Sequence, residues 1–226
     1  MLRFHLALIS PCCTRSVHST EITSVRDAPV ARLFRGGADG NARLTALTAV
    51  VLTVLLAIEG ISLLAIRPLL SLHVFVGLLL IPPVVLKLAS TGYRFLRYYT
   101  RDHEYLKKGP PALLMRLLVA PALVASTFGV FASGVALLAI GPGGGIVLGL
   151  HKASFVVWAG AFAIHMLAYV FRVPGLVGAD WGRGRAAPGM AVRYVIVALA
   201  LVVGLIIAVA ALPVAHPWLH WSGGDG

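Results

Sequence analysis

The sequence predicts an all-α integral membrane protein, a bundle of five transmembrane helices. The chain of 226 residues is 59% hydrophobic and 12% charged, and this charged fraction is about half that of a soluble domain. Its mean hydropathy is +0.91. Several apolar runs also reach the ~18–20 residues that are needed to cross a bilayer. The five predicted spans are 44–66, 69–90, 112–140, 148–171 and 192–214.

The basic residues fall in alternate loops, and this pattern predicts the orientation of the chain. The connections after the second and fourth spans are rich in arginine, whereas the connection after the first carries only Arg67 and the connection after the third carries no charge. Basic loops stay in the cytoplasm, so we expect the N-terminus inside and the C-terminus outside. Residues 1–43 are then predicted to be a disordered basic cytoplasmic tail, and 215–226 a short extracytoplasmic tail.

The net charge of +11 is explained by these loops without a nucleic-acid partner. A nucleic-acid surface would gather its basic residues in one patch, whereas here they are spread over loops beside the spans. The segment 91–106 interleaves tyrosines with arginines, which is typical of a lipid headgroup boundary. The sequence also lacks a Ser-His-Asp set, a phosphate-binding loop and a zinc-ligand spacing. Membrane lipid is therefore a predicted partner, and no catalytic residue is predicted.

Apart from tyrosines and the arginines Arg116 and Arg193 near the span ends, six ionisable groups lie inside the predicted spans, where their burial in lipid is costly and indicates a function. They are Glu59, His73, Lys87, His151, Lys152 and His165. His151 and His165 are 14 residues apart, which places them about 40° apart around one helix and ~21 Å apart along its axis. His73 and Lys87 repeat this spacing on the second span.

The second and fourth spans run in the same predicted direction, so these groups match in depth. His73 and His151 lie near the outer face, and Lys87 and His165 lie near the inner face. Two imidazoles at one depth on separate helices can hold a haem iron from both sides. The sequence thus predicts one haem b between His73 and His151. It leaves a second haem at His165 open, because lysine stands at the partner position, where the favoured interpretation is a side chain that snorkels to the headgroups.

Small residues in the first and third spans are candidates for the space that a porphyrin needs. They are Gly60, Gly129, Ser133 and Gly134. The alternative is that these small residues serve only in helix packing, as they commonly do in membrane proteins.

Charged residues near the outer site have predicted supporting roles. Arg67 and Lys152 flank that site, where we expect them to pair with haem propionates. Glu59 lies near the depth of His73. We expect it either to accept a hydrogen bond from a ligand imidazole or to handle protons.

The segments LHVFVGLLLIPPVVLKLASTGYRFLRYY and LHKASFVVWAGAFAIH resemble small bacterial membrane proteins, mainly actinobacterial, that are described as cytochrome b561-like. The resemblance covers roughly 44–171 and leaves the fifth span unmatched. It implies a four-helix cytochrome b-like core in a bacterial inner (plasma) membrane, with a histidine pair on each of two helices. Three of the four implied ligand positions hold His73, His151 and His165. Lys87 stands at the fourth, which is a departure from the pattern.

These features together predict a membrane b-type cytochrome, an electron-transfer subunit rather than a stand-alone enzyme. It would carry electrons between a quinone pool and an extracytoplasmic oxidoreductase subunit. One alternative is a haem-free, proton-coupled transporter that uses Glu59, His73 and His165 as a relay, although five spans without an inverted repeat fit that class poorly. The other alternative is a structural membrane anchor subunit.

Overall fold

A computed structural model of the protein describes residues 37–107, 109, 113–142, 144–178 and 189–219. Every element of secondary structure in this part of the chain is helical. Five helices are long and apolar enough to cross a membrane, which confirms the predicted all-α class and the number of spans. They are α1 (Gly37–Leu64), α2 (Leu70–Tyr99), α3 (Ala120–Ile140), α4 (Gly145–Tyr169) and α5 (Met190–Ala211).

Several helix boundaries differ from the predicted ones, most of all at the starts of α1 and α3 and at the end of α2. α1 begins at Gly37, so the last part of the predicted tail is helical; residues 1–36 lie outside the described part. The carboxylate of Glu104 accepts a hydrogen bond of 3.2 Å from the backbone N–H of Ala38 and so satisfies an otherwise unpaired donor of the first turn. α2 continues past the predicted end at residue 90 to Tyr99.

The segment after α2 packs against α1 and α2. Asp102 pairs with Arg97 and accepts a hydrogen bond of 3.0 Å from the backbone N–H of Glu104, which starts the short helix His103–Leu106. Tyr105 is buried and packs edge-on against Tyr93, with ring centroids 6.1 Å apart. Arginine and tyrosine in this segment therefore also fix one end of the bundle.

The predicted extracytoplasmic tail is helical as far as residue 219. A 3₁₀ turn, Leu212–Ala215, and a short helix, His216–Leu219, extend α5. Trp218 is 8% exposed, and its indole N–H donates a hydrogen bond of 2.9 Å to the carbonyl of Leu137 near the end of α3. Residues 220–226 lie outside the described part.

The long helices form two groups. α2 packs against both α1 and α5, and α3 pairs with α4. The two groups meet at their ends, where the short helix Val173–Gly178 packs on α1 and the turn Leu212–Ala215 reaches α3. Between these ends, the described residues of α2 and α4 are not packed together along their lengths. The interval between α2 and α4 is where both pairs of predicted site residues lie.

Most of the helix surface faces outward. No more than 22% of the most apolar stretch of any long helix is buried within the chain, and for α4 the share is 6%. Such large apolar surfaces require an apolar surrounding, and α-helices satisfy their own backbone hydrogen bonds in lipid. These features are those of a multi-pass membrane protein.

Candidate functional site

His73 lies in the first turns of α2, where side chains of α1 hold its ring. Its Nδ1 lies 2.8 Å from Oε1 of Glu59 and 3.2 Å from Oγ of Ser62. The hydroxyl of Ser62 donates its single proton to the backbone carbonyl of Glu59 at 2.6 Å, so toward the imidazole it acts as an acceptor. Nδ1 of His73 must therefore carry a proton, and in the neutral imidazole Nε2 keeps its lone pair.

His151, near the start of α4, is held in the same way by α3. Its Nδ1 lies 3.0 Å from Oγ of Ser133 and 3.1 Å from the carbonyl oxygen of Val130. A carbonyl can only accept, and the Ser133 hydroxyl donates to the carbonyl of Gly129 at 2.5 Å. Nδ1 of His151 therefore carries the proton as well. In their neutral form, both histidines thus have an unprotonated Nε2, and this is the form in which imidazole binds a metal.

The two rings lie opposite one another across the gap between α2 and α4. Their centroids are 6.4 Å apart and their planes are nearly perpendicular, at 86°. Two imidazoles on opposite sides of one metal ion have centroids ~6–6.5 Å apart, because a metal–nitrogen bond is ~2.0–2.1 Å and the ring centre lies ~1.1 Å behind the nitrogen. Neither Nε2 has a hydrogen-bond partner among the described residues. The centroid separation of the pair therefore matches that of two imidazoles that ligate one metal ion.

Within the described ranges, a metal site built from protein side chains alone is not found. The described residues contain no group of three or more His, Cys, Asp or Glu side chains that could hold a metal ion. A tetrahedral zinc site needs three or four such ligands. A haem iron differs, because the porphyrin supplies the equatorial nitrogens and the protein adds only axial ligands.

The glycines that were predicted to make room for a porphyrin have different surroundings. A Cβ on Gly134 would lie 3.3 Å from Cε1 of His151, so this glycine leaves room for the ligand ring. A Cβ on Gly129 would lie 2.6 Å from Oγ of Ser154, which assigns Gly129 to the packing of α3 against α4. A Cβ on Gly60 would meet nothing within 4 Å.

The charged residues predicted beside the outer site are at the same end of the bundle as the histidine pair. Arg67 lies in the turn between α1 and α2, and Lys152 follows His151 on α4. Both side chains are exposed, and neither forms an ion pair with another described residue. Both are therefore available to an anionic group that enters at this end.

Lys87 and His165 lie at the opposite end, and the structure does not give them the geometry of the first pair. The amine of Lys87 donates a hydrogen bond of 2.8 Å to the carbonyl of Thr45 on α1. It thus bonds inside the bundle instead of snorkelling as predicted, because this carbonyl offers a nearer partner than the headgroups. The ring of His165 packs on Tyr169, with centroids 4.9 Å apart. No second imidazole at this level is found among the described residues.

Sequence reasoning missed two partners of the histidines, Ser62 and the carbonyl of Val130. The signal for Ser62 was present, because it follows Glu59 by three residues and so shares its helix face. No signal pointed to Val130, because the identity of a side chain does not reveal whether the backbone carbonyl of that residue will contact a ring from another helix.

Comparisons of this chain with family models, with curated proteins and with solved structures find no match. The relation to cytochrome b561-like proteins therefore stays a prediction from the segments quoted above.

Proposed function

We propose that the protein is a membrane b-type cytochrome that carries single electrons through one haem b held by His73 and His151. One observation carries this proposal: two imidazoles from separate helices lie 6.4 Å apart, each with Nδ1–H already bonded and Nε2 unpartnered within the described residues. When bound, haem supplies the one-electron redox chemistry, while the protein supplies binding, orientation and electrostatics.

The surrounding residues each have a defined task in this proposal. Glu59 and Ser62 hold the His73 ring, and Ser133 holds the His151 ring, so both imidazoles are oriented before the cofactor enters. The carboxylate of Glu59, 2.8 Å from Nδ1, would increase the basicity of His73 and so favour the oxidised state of a haem iron bound there. Arg67 and Lys152 would bind the propionates by charge-assisted hydrogen bonds.

The face at which the haem would exchange electrons with a partner protein follows from the predicted orientation. With the N-terminus inside, the histidine pair lies near the outer face of a bacterial inner membrane. An extracytoplasmic oxidoreductase subunit would then exchange electrons with the haem at that face, and a quinone would exchange them from within the bilayer. The motifs shared with cytochrome b561-like proteins support this assignment, as does the separation of α2 from α4.

A difference spectrum tests the proposal. The full-length protein is purified from haem-replete membranes, and the dithionite-reduced spectrum minus the oxidised one should show a b-type band. His73→Ala and His151→Ala should each abolish the band, because each removes an axial ligand. His103→Ala is the matched control: His103 is exposed and lies outside the long helices, so its loss should leave the band unchanged.

The absence of a band in the parent protein would contradict the proposal. It would leave the haem-free transporter and the structural anchor as explanations. Proton-coupled uptake into vesicles that depends on Glu59 and His73 would then favour the transporter.

A further inference from the structure

Lys87 of α2 and His165 of α4 form a second polar cluster in the membrane-spanning part of the bundle. Each follows its histidine, His73 or His151, by 14 residues, so the cluster lies ~21 Å further along the helix axes. His73 and His151 face each other with ring centroids 6.4 Å apart, so the equal spacing places Lys87 and His165 at one level on α2 and α4. They stand at the level where a second haem would bind.

Both side chains retain hydrogen-bonding capacity that the described residues do not use. His165 is half-buried, and its only described ring contact is the packing with Tyr169; neither nitrogen has a hydrogen-bond partner there. Lys87 uses one donor on the carbonyl of Thr45, which leaves two of the three donors of an ammonium group. Polar groups left unpaired in an apolar region are costly. A ligand that accepts hydrogen bonds from both Lys87 and His165 would therefore bind with a favourable free energy.

The cluster is unsuited to a second haem but suited to a smaller ligand that accepts hydrogen bonds. The amine of Lys87 is already directed to a backbone carbonyl on α1, away from the role of an axial ligand. Both groups can donate hydrogen bonds, and α2 and α4 are not packed together along their lengths. A flat apolar molecule with acceptor oxygens at its edge, which reaches the site through the lipid, would match these features.

We propose that Lys87 and His165 bind the headgroup of a quinone, with the ammonium group and the imidazole N–H donating to its carbonyl oxygens. The choice of a quinone rests on the proposed function, because a haem-bearing electron carrier needs a lipid-soluble redox partner. A phospholipid phosphate has similar acceptor oxygens, and the experiment separates the two.

Equilibrium binding of decylubiquinone to the full-length protein in phosphatidylcholine nanodiscs tests this site. The parent protein should bind it saturably. Lys87→Met and His165→Phe should each weaken binding about tenfold, because each removes a hydrogen-bond donor to the quinone. His165→Phe keeps a ring against Tyr169, so it provides a test if Lys87→Met does not fold. His103→Phe is the control and should bind like the parent.

Three results would overturn the proposal. The first is unchanged decylubiquinone affinity in both variants. The second is a loss of part of the b-type band in His165→Phe, which would make His165 a haem ligand. The third is a loss of phosphatidylglycerol binding in both variants while decylubiquinone affinity is retained, which would make the cluster a phosphate site. If the parent lacks a b-type band but both variants weaken decylubiquinone binding, the proposed function fails and the quinone site stands.

Discussion

Two serine hydroxyls determine how the two histidines can act. The hydroxyls of Ser62 and Ser133 each donate a hydrogen bond to a backbone carbonyl of their own helix. Each oxygen then accepts from a histidine Nδ1–H. The result is the same tautomer in His73 and His151, although the two rings are held by different helices. Orientation by such outer partners is what tunes a ligand imidazole.

Replacement of Glu59 by glutamine should raise the midpoint potential of the haem. The substitution keeps a side-chain oxygen for the Nδ1–H of His73 but removes a negative charge that stabilises the oxidised iron. Loss of an outer partner typically changes metal affinity 10- to 100-fold, which corresponds to ~60–120 mV for one electron. A redox titration of the b-type band measures the shift. Glu104→Gln, at the other end of the bundle, should show no shift; a potential equal to the parent's in Glu59→Gln would contradict this role.

A larger residue at Gly134 should weaken haem binding. A Cβ there would lie 3.3 Å from His151, so Gly134→Val displaces the ring from its ligating position. Overpacking of this kind costs ~1–3 kcal/mol, or roughly 5- to 150-fold in affinity. Haem content per purified protein measures the effect.

Gly149→Val provides the control for that experiment, because Gly149 is on the same helix as His151 and a Cβ there would meet nothing within 4 Å. Equal haem content in the two variants would show that Gly134 does not protect the ligand ring.

Among the helices, α2 contains two consecutive prolines in its interior, Pro82 and Pro83. A proline has no N–H, so Pro83 leaves the carbonyl of Leu79 without its helical donor. Gly204 of α5 covers this carbonyl: a Cβ on Gly204 would lie 2.5 Å from the Leu79 oxygen. The close approach favours a Cα–H···O contact between the helices. Small residues commonly permit such packing in membranes.

Gly204→Ala should therefore separate α5 from α2 and lower the stability of the bundle. The clash is with backbone, which cannot rotate away as a side chain can. We expect a loss of ~1–3 kcal/mol and a fall in the apparent Tm of ~2–4 °C per kcal/mol, measured by thermal unfolding in detergent. Gly160→Ala on α4 meets open space and should leave the Tm within a degree or so of the parent's. A parental Tm in Gly204→Ala would contradict the close packing.

For the whole molecule, cysteine labelling from outside the cell measures the predicted orientation in the membrane. In a background with Cys12→Ser and Cys13→Ser, a cysteine at Arg67 should react with a membrane-impermeant maleimide in intact spheroplasts. A cysteine at His103 should react only after the membrane is opened. Both residues are exposed and lie at opposite ends of the bundle. The reverse labelling pattern would place the histidine pair at the cytoplasmic face.

The sequence by itself determined the five helices and the placement of His73 and His151 at one level. Helix length and apolarity follow directly from composition, because a bilayer demands a continuous apolar run, and helical spacing converts residue numbers into depth. It could not place the start of α1, which depends on Glu104 from a distant segment. Nor could it find the carbonyl of Val130 as a partner of His151.

Only the tertiary structure decided how the level of His73 and His151 differs from the level of Lys87 and His165. At one level, a matched pair of serines leaves two Nε2 atoms unpartnered within the described residues, with ring centroids 6.4 Å apart. At the other level, the amine of Lys87 donates a hydrogen bond to the Thr45 carbonyl. Neither ring nitrogen of His165 has a hydrogen-bond partner within the described residues. The physical reason is that spacing along a helix sets depth, whereas the partners that a side chain meets are set by the neighbouring helices.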